Sequence, residues 1–292
     1  MHEHDTYPID GSFGEQVNWH KRRQQAALEK ILAEQFPHQE YPLNILWKTD
    51  SFERYIINLK TGKEQVRLAD YPKMIDIGPP HDSLNELRGI TGTIGKEIHM
   101  DVMVSEDQRV LVPEIYATGE RARVKSKTIA EHRKAVNPEN KHTVVGSLHT
   151  HPHSNSTLKR IGRRLFYRGT MSPSDLYVVI SPHSPEHFMG VVNQEENVFA
   201  FRSQETNSRH AMDYLKPGQL SKQDRFAHFW YKRHGIELTI KDEQRWIKRK
   251  NGGRITDIDR WEVAMDIAKW HHIALYRGKP NQNIHRFYPE QM

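Results

Sequence analysis

The sequence predicts a mixed α/β protein, and three observations carry that prediction. Segments of strand length and character recur through the centre: Ile98–Val104, Val110–Tyr116, Val144–Leu148, His187–Val192 and Val198–Arg202. Segments with helical periodicity stand between and after them, among them Ile129–Val136 and Ser221–His234. Between the Val144 and His187 strands lies Ser172-Pro173-Ser174-Asp175, with Ser at the N-cap, Pro at the first helical position and an acid at the third, which is a helix start close to a capping box.

The chain has 292 residues, enough for one to three domains and a substantial buried core. Hydrophobic residues make up 36% and charged residues 27%, with a mean hydropathy of −0.81, as expected of a soluble protein. There is no cysteine, which excludes disulfides, thiolate metal ligands and a cysteine nucleophile. Any metal must therefore be held by His, Asp or Glu. Residues 1–13 are polar and acidic without an apolar signal core, and no long apolar run follows. A cytoplasmic protein with no membrane association is expected. A formal charge of +6 and a pI near 9.3 fit either a solvated surface or an acidic partner.

In chain order, residues 15–36 carry an approximate helical stripe that Pro37 stops, and Leu43–Trp47 and Tyr55–Leu59 are strand-like. The second opens a hairpin turning at Gly62. Residues 1–70 thus read as an α+β accessory region. From Met74 come a short strand, a break at Pro79-Pro80 and a helix from Leu84. Then Ile98, Met100, Val102 and Val104 alternate with His99, Asp101 and Met103, the pattern of a half-buried strand. Residues 71–205 form the expected central domain. Residues 206–292 read as a basic helical region, with a helix capped by Gly235 and a second helix, capped by Asp257, whose stripe runs through Trp261, Ala264, Met265, Ala268, His272 and Leu275 to Gly278.

Chemistry concentrates at the end of the Val144 strand. Residues i and i+2 of a strand share a face, so His149 and His151 point into one site while Thr150 points away, and Pro152 ends the ladder. Two imidazoles so placed are half of a metal site. The helix start at Ser172–Asp175 reads first as a cap, but after this strand end it can also present the Asp175 carboxylate to a bound cation, with the Ser172 hydroxyl beside it.

The pattern His149-x-His151-Pro152 followed by Ser172-x-x-Asp175, after a hydrophobic strand with Gly146 near its end, resembles the signature of the JAMM (MPN+, JAB-domain) zinc metallopeptidases. The resemblance covers roughly residues 74–205. It implies a curved mixed sheet flanked by helices, a JAMM/cytidine-deaminase-like core, with N-terminal α+β and C-terminal helical extensions left unexplained. It also implies Zn²⁺ held by His149, His151 and Asp175 with one position left for water, and Ser172 assisting a developing oxyanion. A glutamate acts as general base; the candidates are Glu97, Glu86 and Glu120, and Glu97 best matches the family order of elements, since it ends the first helix and opens a strand. The reaction implied is hydrolysis of a peptide or isopeptide bond in a protein substrate, with ubiquitin-like proteins among the candidates. One departure is the spacer Pro152–Met171, longer than is usual in the family, in which Leu158, Ile161 and Leu165 recur at helical spacing among basic residues. Arg160, Arg163 and Arg164 on this segment are candidate substrate-binding residues.

Two other readings remain open at this stage. One is a scaffold of the same fold without hydrolysis. The other is a nucleic-acid-associated protein acting through Lys241, Arg245, Lys248, Arg249, Lys250 and Arg254, a cluster otherwise read as a solvated helix face.

Overall fold

The strand predicted over Ile98–Val104 is the axis of the fold, because both of its edges are paired and both of its faces are covered. In the computed structural model the described residues are 43–44, 66–75, 84–85, 87–89, 91–92, 96–104, 110–113, 117–118, 126–137, 139, 141–151, 171–194, 196–207, 221–241, 244–253 and 255–289. The expected helix over 15–36, the Gly62 hairpin, Glu86, Glu120 and the basic segment with Arg160, Arg163 and Arg164 lie outside them.

Among the described residues the strands are β1 (Leu43–Asn44), β2 (Met74–Ile75), β3 (Ile98–Val104), β4 (Val110–Pro113), β5 (Ala117–Thr118), β6 (Thr143–Thr150), β7 (Phe188–Val192), β8 (Asn197–Arg202), β9 (Ile236–Lys241), β10 (Gln244–Arg249), β11 (Ile273–Gly278) and β12 (Ile284–Tyr288). The helices are α1 (Ser126–Val136), α2 (Pro173–Ile180), α3 (Lys222–Arg233) and α4 (Asp257–His271), with further helical backbone at 84–85, 87–89 and 91–92. The protein is mixed α/β. Its main sheet is mixed and runs β1-β4-β3-β6-β7-β8-β11-β12-β2, with β5 also on β3, while β9 and β10 form a separate hairpin. The pair β6–β7 is parallel, with α2 in the crossover between them. The other pairings among the described strands are antiparallel.

Successive side chains of a strand point to opposite faces, and the two faces have separate cores. On one, Met100, Val102, Leu148, Phe188, Val192, Phe199 and Phe201 pack with Leu84, Leu87, Tyr71 and Tyr276. On the other, Met189, Val191, Val198 and Ala200 pack under α2, α3 and α4 through Leu176, Val179, Phe226, Trp230, Val263 and Ile267. Full burial of one such side chain stabilises the fold by about 1.5–3 kcal/mol. Gly146 is required where β6 meets β7, because a Cβ there would lie 2.2 Å from the Phe188 ring.

Four expectations are corrected. β3 is not half-exposed, since His99 and Asp101 are as buried as the apolar positions between them. The region after 206 is not simply helical: among the described residues it contributes two helices and four strands, and β11 and β12 continue the main sheet beyond β8 and on to β2. The sheet therefore runs across both expected domain boundaries. Of the basic cluster of that region, Lys241, Arg245, Lys248, Arg249 and Lys250 fall on the β9–β10 hairpin and its flank rather than on a helix, with Lys248 paired to Glu237 at 3.2 Å and Arg249 paired to Asp259, while Arg254 lies outside the described residues. Finally, α4 is capped by Thr256 through a box with Asp259, and it ends at His272, which adopts the left-handed conformation at φ 54°. Leu275 and Gly278 belong to β11.

Candidate metal centre

β6 delivers the two histidines as its alternation requires. His149 lies within the strand, and the His151 amide still donates to the Val192 carbonyl at 3.2 Å, so the strand's path along β7 holds one residue further. Their rings are 5.0 Å apart between centroids, with Nε2 to Nε2 at 3.2 Å. Thr150 faces the other way. Its hydroxyl oxygen accepts from the Ile98 amide at 3.1 Å and from the Thr91 hydroxyl at 2.6 Å. The residue between the histidines thereby fixes the backbone next to Glu97. The Glu97 carboxylate is buried, and its Oε1 lies 4.0 Å from His151 Nε2.

Asp175 arrives from the first turn of α2, and the cap that starts the helix also aims the carboxylate. The Ser172 amide and hydroxyl both donate to Asp175 Oδ2, at 2.7 and 2.8 Å, and the Asp175 amide donates back to Ser172 Oγ at 3.3 Å. Oδ1 is left on the histidine side, 3.6 Å from His149 Nε2. One donor atom from each of His149, His151 and Asp175 lies within 4.8 Å of the others, and this is the group of metal-binding type among the described residues.

The donor set suits a divalent cation. Three N or O donors each about 2.0–2.2 Å from a tetrahedral ion are separated by roughly 3.3 Å. The distances of 3.2 and 3.6 Å bracket that edge. Burial lowers the His149 pKa below the usual histidine range, against the pull of Asp175, and so favours the neutral imidazole that ligates. Burial alone would raise Asp175, but His149, His151 and the bonds from Ser172 hold it below the usual carboxylate range, in the ligating anion.

Of the expected site residues, the fold thus brings Glu97, His149, His151, Ser172 and Asp175 to one place. It also places there four residues that the sequence reading passed over. His99 stands directly opposite His149 in the β3–β6 register, and Asp101 stands opposite Ser147. His99 Nε2 is 3.1 Å from Asp101 Oδ1. Arg133, from α1, donates to both Asp101 oxygens at 2.9 and 2.7 Å and also to Glu186. The available signal was the i, i+2 series Glu97, His99, Asp101, which shares one strand face with the histidines across from it.

Among the described residues no helix is long and apolar enough to cross a membrane. Comparison with protein-family models, with curated proteins and with solved structures found no match to this chain.

Proposed function

We propose that the chain is a zinc-dependent hydrolase of the JAMM type, cleaving a peptide or isopeptide bond in a protein substrate. The observation that carries the reading is the convergence of His149, His151 and Asp175 within 4.8 Å, with the buried Glu97 carboxylate 4.0 Å from His151. Three protein donors with a fourth position left over suit a catalytic rather than a structural zinc site. The motif His-x-His-Pro with Ser-x-x-Asp and the mixed sheet with α2 in its parallel crossover are compatible with that family's curved-sheet core.

When bound, zinc supplies Lewis acidity toward a carbonyl and makes a water reactive near neutral pH. Glu97 takes the proton of the attacking water and returns it to the leaving nitrogen as the C–N bond breaks. The carbonyl carbon thus gains the hydroxyl and the amine gains the proton. Ser172 holds the Asp175 carboxylate by donating to Oδ2. For its hydroxyl to serve a developing oxyanion, it must turn from that bond.

The test is metal analysis of the purified protein, followed by incubation with isopeptide conjugates and C-terminal fusions of ubiquitin-like proteins and with unrelated peptides. One zinc per chain and chelator-sensitive cleavage are expected. Protein that neither retains nor binds zinc would overturn the proposal, and stoichiometric zinc without cleavage of any member of the panel would remove the peptidase assignment.

A further inference from the structure

We infer that His99, Asp101 and Arg133 form a positioning network for this centre, holding the strand that carries both histidines and thereby setting how tightly a divalent cation is bound. The inference rests on the metal-centre reading and extends it to residues the sequence motif does not contain.

The geometry is that of a lace across one strand. β6 lies between β3 and β7 in the sheet. Arg133 reaches from α1 to Asp101 on β3 with two hydrogen bonds, and to Glu186, just before β7, with another. Its guanidinium therefore spans the neighbours of β6 on both sides. The other end of Glu186 is tied by the Ser184 hydroxyl, and the adjacent His187 amide donates to the Val145 carbonyl of β6 at 2.7 Å. Each part of the lace thus terminates on the sheet around the two ligands.

His99 is the link toward the metal side. Residues directly opposite in an antiparallel pair have Cβ atoms about 4.5–5.5 Å apart on one face, so the His99 ring flanks His149. Asp101 is an acceptor only, since its carboxylate also takes both Arg133 bonds, so His99 presents an N–H from Nε2. The ring orientation and the site of that proton are thereby set. Burying two carboxylates and an imidazole beside a partly buried guanidinium is costly unless they are mutually satisfied. An apolar cluster would hold α1 to the sheet without this cost.

The experiment compares full-length wild type with His99→Leu and His99→Gln. Zinc affinity is read by chelator competition, ligand geometry by the visible absorption of the Co²⁺-loaded protein, and folding by near-UV circular dichroism. His99→Leu is expected to retain the native dichroism, weaken zinc binding by about 10–100-fold and alter the Co²⁺ spectrum. His99→Gln, which keeps an N–H donor toward Asp101, is expected to recover most of both. If His99→Leu does not fold, Asp101→Asn takes its place, with loss of affinity again expected. A folded variant with wild-type zinc affinity and Co²⁺ spectrum would overturn the network. Wild type that binds no zinc would instead overturn the metal-centre reading.

Discussion

The Asp175 carboxylate is shared between two tasks by Ser172: Oδ2 takes both the amide and the hydroxyl of Ser172, and Oδ1 is left facing His149 at 3.6 Å. A helix cap and a ligand-orienting contact are here the same pair of residues. Ser172→Ala therefore acts twice. Loss of the cap hydroxyl costs about 1 kcal/mol, a fall of roughly 2–4 °C in Tm for a chain of this size. Loss of one of the two bonds on Oδ2 lets the carboxylate rotate, and weaker zinc binding accompanies the lower Tm. Ser172→Thr, which retains the hydroxyl, keeps both near wild type. Thermal melts and chelator competition on the three proteins check this. Unchanged zinc affinity in a destabilised Ser172→Ala would separate the cap from the ligand.

Glu97→Gln should leave zinc stoichiometry intact and reduce hydrolysis by about 10²–10⁴-fold, the usual contribution of general acid–base catalysis. The substitution preserves shape but removes the basic oxygen 4.0 Å from His151. Zinc content and turnover are measured on the same preparation. Retained hydrolysis would move the base to another carboxylate.

Gly146→Ala should destabilise the protein by about 1–3 kcal/mol through overpacking, because the new methyl would meet the Phe188 ring at 2.2–2.5 Å. Phe188 is itself stacked on Phe201, 5.6 Å between centroids, so it has a packed neighbour behind it. Paired with Phe188→Leu, the cost of Gly146→Ala should shrink, giving a clearly non-additive double-mutant cycle in urea denaturation.

Acid should unfold the metal-free protein in two steps. Burial lowers the pKa of both His132 and His187 to about 4, with nearby Arg202 adding to the effect at His187. A buried imidazole kept neutral contributes stability above its unfolded pKa of about 6.5, lost progressively as the pH falls toward 4. For Asp101, burial is outweighed by His99 and Arg133, which lower the carboxyl to about 2. Its contribution, roughly 2–3 kcal/mol at neutral pH, is present above the unfolded value and lost between about pH 4 and 2. Urea midpoints should therefore decline from pH 6.5 downward, and His132→Gln should flatten the first decline without altering the second. A midpoint constant from pH 7.5 to 4.5 would contradict the burial of these imidazoles.

The sequence by itself determined what depends on near neighbours. Alternation placed His149 and His151 on one face, and the strand is found at Thr143–Thr150. The order Ser-Pro-Ser-Asp specified a capping box, which forms in both directions because its partners are three residues apart. The extent of α4 misled for a local reason. The helical period continues through His272 and Leu275, while the helix is ended by a histidine in a left-handed conformation that usually falls to glycine. No composition signal announces that choice.

Tertiary structure alone decided the polar floor of the site. His99 and Asp101 alternate with apolar residues as solvent-facing positions would, and only the arrival of Arg133 from α1 turns that face into an interior one. Its other carboxylate, Glu186, is more remote still, 53 residues along the chain against 32 for Asp101. Likewise, the return of β11 onto β8 extends the sheet with a segment that its preceding helix had disguised. Periodicity reports which side of an element is apolar. It carries no information about a charge that becomes tolerable in the interior only when a distant residue of opposite charge is packed against it.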